Sequence, residues 1–271
     1  MSSPYFNPLG GLPDQSTQIS NRALFTTAYV MMPRGVMRDI VTSALPNWQG
    51  MRCWILAKPL TGFCETFSQF IVELEPEGGS QQPETQSEVE AVLFITQGQL
   101  SLELNGQNHR LISGSYVYIA AGETWAIKNE SGQKAVFHWI RKRYISVEGL
   151  SKPPSFVTHC DQVEPSSMPN TQGRWATKRF VSTEDLRHDM HVNIVSFEAG
   201  AKISFAETHV MEHGLFVLEG QGLYKLNDDW VEVEAGDFMW LRAFCPQACI
   251  AVGDKPFRYL LYKDVNRIPL L

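Results

Sequence analysis

Short runs of apolar residues, some continuous and some alternating with polar residues, follow one another along the chain and are separated by turn residues. Four runs lie in the first half and four in the second: 70–74, 92–95, 100–104, 115–119, 192–197, 215–218, 223–226 and 237–241. Asn105-Gly106 and Ala235-Gly236 are typical of the tight turns that join such runs. This rhythm predicts an all-β fold of many short antiparallel strands, arranged as a sandwich or a barrel.

The two halves of the chain repeat one pattern at a spacing of 122 residues. An ungapped shift brings Gly98-Gln99 onto Gly220-Gln221, Leu104-Asn105 onto Leu226-Asn227, and Gly114 onto Gly236. The match extends over about 37 residues and indicates a duplicated domain.

A proline-rich segment at 151–155 separates the two copies. We therefore predict an N-terminal extension over residues 1–45, a first β-barrel over 46–150 and a second over 151–271. Residues 1–40 lie outside the repeat, and we expect them to pack along the barrels or against a partner subunit.

Composition excludes several functional classes. The chain has 271 residues, a hydrophobic fraction of 44% and a formal net charge of −6. No stripe of Lys and Arg is present, and the short cluster 141–143 is interpreted as a solvated strand end, so nucleic acid is not an expected partner. Five cysteines without a CxxC pair predict reduced thiols and a cytoplasmic location. The sequence shows no export signal, and we expect no membrane span.

A cluster of metal-ligand types occurs in the second copy. Glu207, His209 and His213 are separated by even numbers of residues, so on a β-strand their side chains would point to one face. Two imidazoles and a carboxylate suit Mn, Fe, Co, Ni or Zn. The alternative is a polar strand edge, which is the usual interpretation of a single histidine but explains three spaced ligands less well.

The glycines that frame this cluster make the second copy similar to the cupin superfamily. The first cupin motif corresponds to Gly200-x6-Glu207-x-His209-x3-His213-x6-Gly220, and the second to Gly236-x10-Gln247. The resemblance implies four ligands, with Gln247 at the place of the last histidine. An amide oxygen hardens the set and favours Mn(II), although other divalent metals remain possible.

The first copy lacks these ligands. The 122-residue shift places Thr85, Ser87, Ala91 and Trp125 at the four positions. We therefore expect the first barrel to be metal-free and structural.

Three further residues in the second copy could bind or activate a substrate. Tyr224 follows Gly220, and Tyr259 and Lys263 are spaced so that both point the same way on a strand. A desolvated lysine near a cation has a lowered pKa and can exchange protons near neutrality. A surface lysine beside a core tyrosine is the alternative.

With Gly220-Gln221-Gly222-x-Tyr224, Pro246-Gln247 and the segment 259–267, the chain resembles the (S)-ureidoglycine aminohydrolase family, the bicupins of purine (allantoin) catabolism. The similarity is continuous over about 189–271. It implies two tandem cupin barrels of the jelly-roll type and hydrolysis of (S)-ureidoglycine to (S)-ureidoglycolate and ammonia.

The resemblance also implies roles for individual residues. Mn(II) would be bound by Glu207, His209, His213 and Gln247, and the small ureido substrate would contact Tyr224, Tyr259 and Lys263. Lys263 would transfer the proton that lets ammonia leave, and Glu207 could act as ligand and base.

Two other functions stay open at this point. An Fe or Mn bicupin oxygenase or decarboxylase would share the barrel and a similar ligand set, and a non-enzymatic cupin could sense a metabolite. Because bicupins commonly assemble through their barrels, a homo-oligomer is expected.

Overall fold

The computed structural model describes residues 22–34, 44–59 and 61–264. In these ranges the chain is built of twenty β-strands and one short 3-10 helix, Cys160–Gln162. The predicted all-β architecture is confirmed. The described residues contain no helix with the length and apolar character needed to cross a membrane.

Contacts divide the described chain into two units. The first contains residues 44–58 and 67–162, and the second contains 22–34, 59, 61–66 and 163–264. The short segment around residue 63 thus belongs to the second unit although both its flanks belong to the first. The predicted domain limits at residues 45 and 150 stay a prediction.

The first unit is one nine-stranded antiparallel sheet. Its strands are β3 (Gln49–Ala57), β4 (Phe67–Ser80), β5 (Val89–Gln97), β6 (Gln99–Leu104), β7 (Gln107–Ile112), β8 (Ser115–Ile119), β9 (Trp125–Lys128), β10 (Ala135–Arg143) and β11 (Phe156–His159). The strand order is β11-β8-β5-β10-β4-β9-β6-β7, and β3 pairs with β4.

The second unit is made of two sheets. Its strands are β1 (Leu24–Phe25), β2 (Tyr29–Met32), β12 (Pro165–Ser167), β13 (Trp175–Arg179), β14 (Met190–Phe197), β15 (His213–Glu219), β16 (Gln221–Leu226), β17 (Asp229–Glu234), β18 (Phe238–Leu241), β19 (Gln247–Val252) and β20 (Phe257–Asp264). The sheets have the orders β1-β2-β18-β15-β20-β14-β13-β12 and β17-β16-β19.

The part of the predicted N-terminal extension that is described belongs to the second unit. Strand β2 pairs with β18 and adds Tyr29 and Met31 to the core. Arg22 binds the buried carboxylate of Asp237 at 2.6 Å. Residues 1–21 and 35–43 of that extension lie outside the described residues.

The two units share one pairing pattern, as the repeat predicts. Strand β10 lies between β4 and β5, and β20 lies in the same way between β14 and β15. The tight turns also correspond, since Asn105 and Asn227 both have positive φ, 52° and 56°. Gly98 and Gly220 adopt φ of 78° and 76°, and a Cβ at either would collide with a carbonyl oxygen. Only glycine can adopt this positive φ and also avoid the collision without strain.

Alternation along the strands determines which residues enter each barrel interior. In the second unit the inward residues of β14, Val195 and Phe197, pack with the inward residues of β15, β16 and β20. The same parity places His191 and Asn193 on that inner face. Strand alternation therefore directs both apolar core residues and polar residues into one interior.

The expectation for the basic cluster 141–143 is wrong for two of its three residues. Arg141 pairs with Glu84 at 2.6 Å and stacks over Trp139 at 4.8 Å, and Lys142 is buried. Only Arg143 is exposed. Strand β10 lies inside its sheet, between β4 and β5, so its end is covered rather than solvated.

Candidate metal centre and its surroundings

Glu207 and Gln247, far apart in the chain, are joined by a two-way backbone bridge. The N–H of Glu207 donates to the carbonyl of Gln247 at 2.9 Å, and the N–H of Gln247 donates back at 2.8 Å. Gln247 begins β19, which is buried in the second unit. The bridge holds the carboxylate and the amide at the same level of the barrel.

The expectation that one strand carries Glu207, His209 and His213 is wrong. Residues 208–212 form a loop, and only His213 lies in a strand, as the first residue of β15. The loop is closed by the N–H of Phe244, which donates to the carbonyl of His209 at 2.6 Å. The Glu207–Gln247 bridge and the hydrogen bond from Phe244 to His209, rather than strand alternation, bring these side chains together.

The side chains of the three residues are close to one another. The Nε2 atom of His209 lies 3.4 Å from Oε1 of Glu207, and the rings of His209 and His213 lie 4.8 Å apart. Burial, together with the nearby charges of His209 and Lys263, lowers the pKa of His213 to about 3. His213 is therefore neutral at pH 7, which is the form of imidazole that binds a metal.

Gln247 is oriented by a hydrogen bond from Tyr224. The hydroxyl of Tyr224 donates to Oε1 of Gln247 at 3.0 Å, and both side chains are buried. A carbonyl oxygen has two lone pairs, so one remains free when the other accepts this bond. Orientation of a ligand by an outer hydrogen bond is usual at metal sites.

The donor set fits a divalent cation of intermediate or hard character. It offers two imidazole nitrogens, a carboxylate and an amide oxygen, all from the second unit. These types suit Mn, Fe, Co, Ni or Zn and do not suit Cu(I).

A compact group of ligand-type atoms also occurs in the first unit, at His159, Cys160 and Asp161, whose donor atoms all lie within 4.8 Å of one another. Both ring nitrogens of His159 are already engaged there. Nε2 donates to the carbonyl of Ser113 at 2.9 Å, and Nδ1 accepts the N–H of Asp161 at 3.2 Å. This histidine closes the turn after β11, so the group is explained without a metal.

Lys263 is surrounded by the residues of the candidate site. On β20 it lies directly opposite His213 of β15 on one side and His191 of β14 on the other. Burial and the positive charge of Arg179 lower the pKa of Lys263, while Glu207 opposes this change. In the described part of the chain no carboxylate forms an ion pair with Lys263.

Tyr224 and Tyr259 form one edge of the same interior. Their rings meet at 6.1 Å in a T-shaped contact, and Tyr259 lies two residues before Leu261 on the inward face of β20. Burial raises the pKa of both phenols well above the ordinary value. Both hydroxyls are therefore neutral hydrogen-bond groups at physiological pH.

Two regions of the chain match the cupin domain model, residues 70–141 and 193–262. A rice (Oryza sativa subsp. japonica) protein named "probable (S)-ureidoglycine aminohydrolase" is 32% identical over 85% of this chain and 72% of its own length. The (S)-ureidoglycine aminohydrolase of Escherichia coli K12 is 29% identical over 92% and 93%.

The chain belongs to the (S)-ureidoglycine aminohydrolase family of bicupins.

A solved structure has the same fold. A Pseudomonas aeruginosa protein described as glyoxylate-induced superposes on this bicupin with a TM-score of 0.91 at 59% identity, over 98% of each chain. The all-β bicupin fold is thereby confirmed, and cupin domains commonly bind metal ions.

The first barrel of this bicupin keeps a cavity where the second has its candidate ligands. The cavity measures about 170 Å³, and its lining includes all four equivalent side chains, Thr85, Ser87, Ala91 and Trp125. A hydroxyl pair, a methyl group and an indole offer no set of metal ligands. That this barrel is purely structural stays a prediction.

Glu212, between the histidines of the motif, has a different task that the spacing did not reveal. Its buried carboxylate accepts hydrogen bonds from the backbone N–H groups of Glu65 and Thr66, the hydroxyl of Thr66 and the indole of Trp240. It therefore fixes the loop that ends at His213. No local sequence pattern indicates these contacts, because Glu65 and Thr66 lie 147 and 146 residues away and Trp240 lies 28 residues away.

Sequence reasoning also missed Arg179 and Asn193. Asn193 is 2% exposed and faces the interior of the second barrel. Arg179 lies directly opposite Asn193 in the pairing of β13 with β14. Once the structure shows that Val195 and Phe197 face the interior, alternation along β14 places Asn193 there as well.

Proposed function

We propose that this bicupin hydrolyses (S)-ureidoglycine to (S)-ureidoglycolate and ammonia, and that Mn(II) bound in the second barrel assists the reaction. The names of relatives that are 29–32% identical support an aminohydrolase activity. The observation that carries the proposal is Lys263, a half-buried cation opposite His213 with a lowered pKa and no ion-pair partner in the described chain.

The metal ligands in this proposal are Glu207, His209, His213 and Gln247. A divalent ion at this position would anchor the substrate and determine which face of the reacting carbon meets water. The amide oxygen of Gln247, oriented by Tyr224, makes the set harder than one with three histidines and favours Mn(II).

Lys263 supplies the proton that releases ammonia. The reacting carbon carries an amine and a ureido nitrogen. Lys263 protonates the amine, the C–N bond breaks, and its electron pair leaves with ammonia. The ureido nitrogen donates its lone pair to the carbon and forms a C=N bond.

Water then adds to that carbon, and the neutral Lys263 takes the proton that water loses. One water enters, one ammonia leaves, and Lys263 returns to its starting charge. A lowered lysine pKa favours both halves of this cycle near neutral pH.

The tyrosines position the substrate without changing charge. Because burial keeps both phenols protonated, the hydroxyls of Tyr224 and Tyr259 act as neutral hydrogen-bond groups near the ligands. They would hold the ureido or carboxylate end while Lys263 works at the amine.

Ammonia release from freshly prepared ureidoglycine tests the proposal. The chelated protein, with and without added Mn(II), is compared with the spontaneous rate in a coupled ammonia assay. Acceleration that depends on the metal supports the proposal, and its absence contradicts it. Oxygen uptake without ammonia release would indicate an oxygenase instead.

A variant at Lys263 separates its role from that of the metal. We expect Lys263→Met to lower ammonia release about 10²- to 10⁴-fold, the usual contribution of a general acid–base group, with manganese content unchanged. Lys255→Met removes an exposed lysine close in sequence and is the matched control. Full turnover by metal-loaded Lys263→Met would exclude the proton-transfer role.

A further inference from the structure

The second barrel brings two cations, Arg179 and Lys263, close together. The cation of Arg179 lies close enough to Lys263 to lower its pKa, so the two charges share one environment. Neither has an ion-pair partner within 4.0 Å among the described residues. Only Glu207 acts on Lys263 with the opposite sign, and it belongs to the predicted ligand set. A half-buried pair of cations of this kind favours an anionic ligand.

Arg179 reaches this interior from the end of β13. It follows Trp175 and Thr177 at even spacing, and both of those residues are buried, Trp175 within the barrel core. Its pairing partner is Asn193, and side chains that are directly opposite on one face have Cβ atoms about 5 Å apart. Arg179 and Asn193 are therefore neighbours on the inner wall.

The side-chain oxygen of Asn193 is a hydrogen-bond acceptor without a donor. Its Oδ1 atom is buried and has no hydrogen-bond partner in the described residues. A buried polar atom left in this way costs about 1–3 kcal/mol, so such atoms usually have a ligand or a functional reason. The next residue of the same row, across β20, is Leu261, two residues before Lys263.

The corresponding row of the first barrel is apolar. Its corresponding strands pair Ile55 with Phe70, and Phe70 with Trp139. The second barrel has Arg179 in place of Ile55 and Asn193 in place of Phe70. Where the first barrel has an apolar pair, the second has a cation and a buried amide.

We infer that Arg179 and Asn193 form the subsite that recognises the two ends of the substrate, an inference that rests on the proposed function. The guanidinium of Arg179 binds the carboxylate, for which its planar donors are suited. Oδ1 of Asn193 accepts an N–H of the ureido group. The amine is thereby left facing Lys263.

Binding of two stable analogues tests this assignment apart from turnover. The first analogue, N-carbamoylglycine, has the carboxylate and the ureido group but no amine. The second is the corresponding primary amide, which differs from the first in lacking the negative charge. We expect calorimetry on the Mn(II)-loaded protein to show that the wild type prefers the acid by at least about tenfold. Equal affinity for acid and amide in the wild type would overturn the inference.

The variants assign each end of the ligand. Arg179→Gln should weaken binding of the acid about 10- to 100-fold, leave the amide unchanged, and raise KM for ureidoglycine more than it lowers kcat. Lys178→Gln, on the opposite face of the same strand, is the matched control. An equal loss for acid and amide in Arg179→Gln would contradict a carboxylate contact.

Asn193→Leu should weaken both analogues about tenfold with an unchanged or higher Tm, because leucine removes an unsatisfied buried atom. A lower Tm with unchanged binding would show that Asn193 is only structural.

If the wild type binds the acid selectively but releases no ammonia, the proposed activity fails and the subsite stands. If it releases ammonia and the variants behave as the wild type, the subsite fails and the activity stands.

Discussion

Replacing Glu212 by glutamine should be one of the most destabilising conservative changes in the second unit. The carboxylate is buried and accepts hydrogen bonds from four donors: Glu65 N–H at 3.0 Å, Thr66 N–H and Thr66 hydroxyl both at 2.6 Å, and Trp240 indole at 2.7 Å. These bonds connect the loop before His213 to residues 65–66. The change keeps the size of the side chain and removes its charge.

The magnitude follows from counting acceptors. A glutamine carbonyl has two lone pairs, so two of the four donors lose their partner and face an NH₂ group instead. Each lost bond to a charged group costs about 1.5–3 kcal/mol, which gives about 3–6 kcal/mol for two bonds. For a unit of this size we expect a fall in Tm of about 10–20 °C.

Urea and thermal unfolding of Glu212→Gln measure this cost. The matched control is Glu219→Gln, which removes a half-exposed carboxylate that pairs with Arg258 at 3.3 Å and should cost at most about 1 kcal/mol. Thr66→Val completes a double-mutant cycle, in which a coupling energy above about 0.5 kcal/mol with Glu212→Gln is expected. Equal losses for Glu212→Gln and Glu219→Gln would refute the anchoring role.

Two further predictions concern metal affinity and pH. Tyr224→Phe removes the hydrogen bond to Gln247 and should lower manganese affinity about 10- to 100-fold in chelator competition, whereas Tyr144→Phe in the first unit should have no effect. Burial lowers the pKa of His138 from 6.5 to about 3 in the folded chain. The neutral imidazole therefore makes its full contribution to the unfolding free energy above pH 6.5, and this contribution is lost as the pH falls towards 3. Between these values His138→Gln should reduce the pH dependence of the unfolding free energy by about 1.4 kcal/mol per pH unit, and an unchanged slope from pH 4 to 6 would contradict this.

The repeat made most of the fold predictable. The shift of 122 residues aligns hydrogen bonds as well as residue types: Gly114 N–H donates to the carbonyl of Ile95, and Gly236 N–H donates to that of Val217. Turns and strand alternation are local properties, so one sequence is sufficient to find them. The segment around residue 63 was unpredictable, because its place in the second unit depends on contacts such as that with Glu212.

The candidate site was predictable in its members but not in its construction. Even spacing along the sequence identified Glu207, His209 and His213. In the structure, however, a loop held by the Glu207–Gln247 bridge and by the hydrogen bond from Phe244 to His209 brings them together. Asn193 was missed because β14 is buried on both faces, so its hydrophobic pattern hides which residues face the interior. Only the pairing register, which no single strand encodes, places Asn193 opposite Arg179.

The pairing register also shows that equivalent cations of the two barrels differ in their ion-pair partners. Arg141 of β10 lies opposite Ala91, as Lys263 of β20 lies opposite His213, so the two cations are equivalent. Glu84 holds Arg141 in a two-point ion pair, with distances of 2.6 and 2.7 Å. The 122-residue shift places Ala206 at the position of Glu84. The second barrel therefore has the cation without the carboxylate that neutralises its equivalent in the first barrel.

A carboxylate introduced at residue 206 should suppress proton transfer by Lys263 while the lysine itself is retained. In Ala206→Glu the new side chain pairs with Lys263, raises its pKa and withdraws it from the amine, so we expect ammonia release to fall about 100-fold with manganese content retained. Residue 206 is exposed, so the fold should be unaffected. Ser204→Glu adds the same charge at another exposed position of the same segment and is the control. If both variants keep full turnover and the same pH profile, the missing partner of Lys263 has no part in its chemistry.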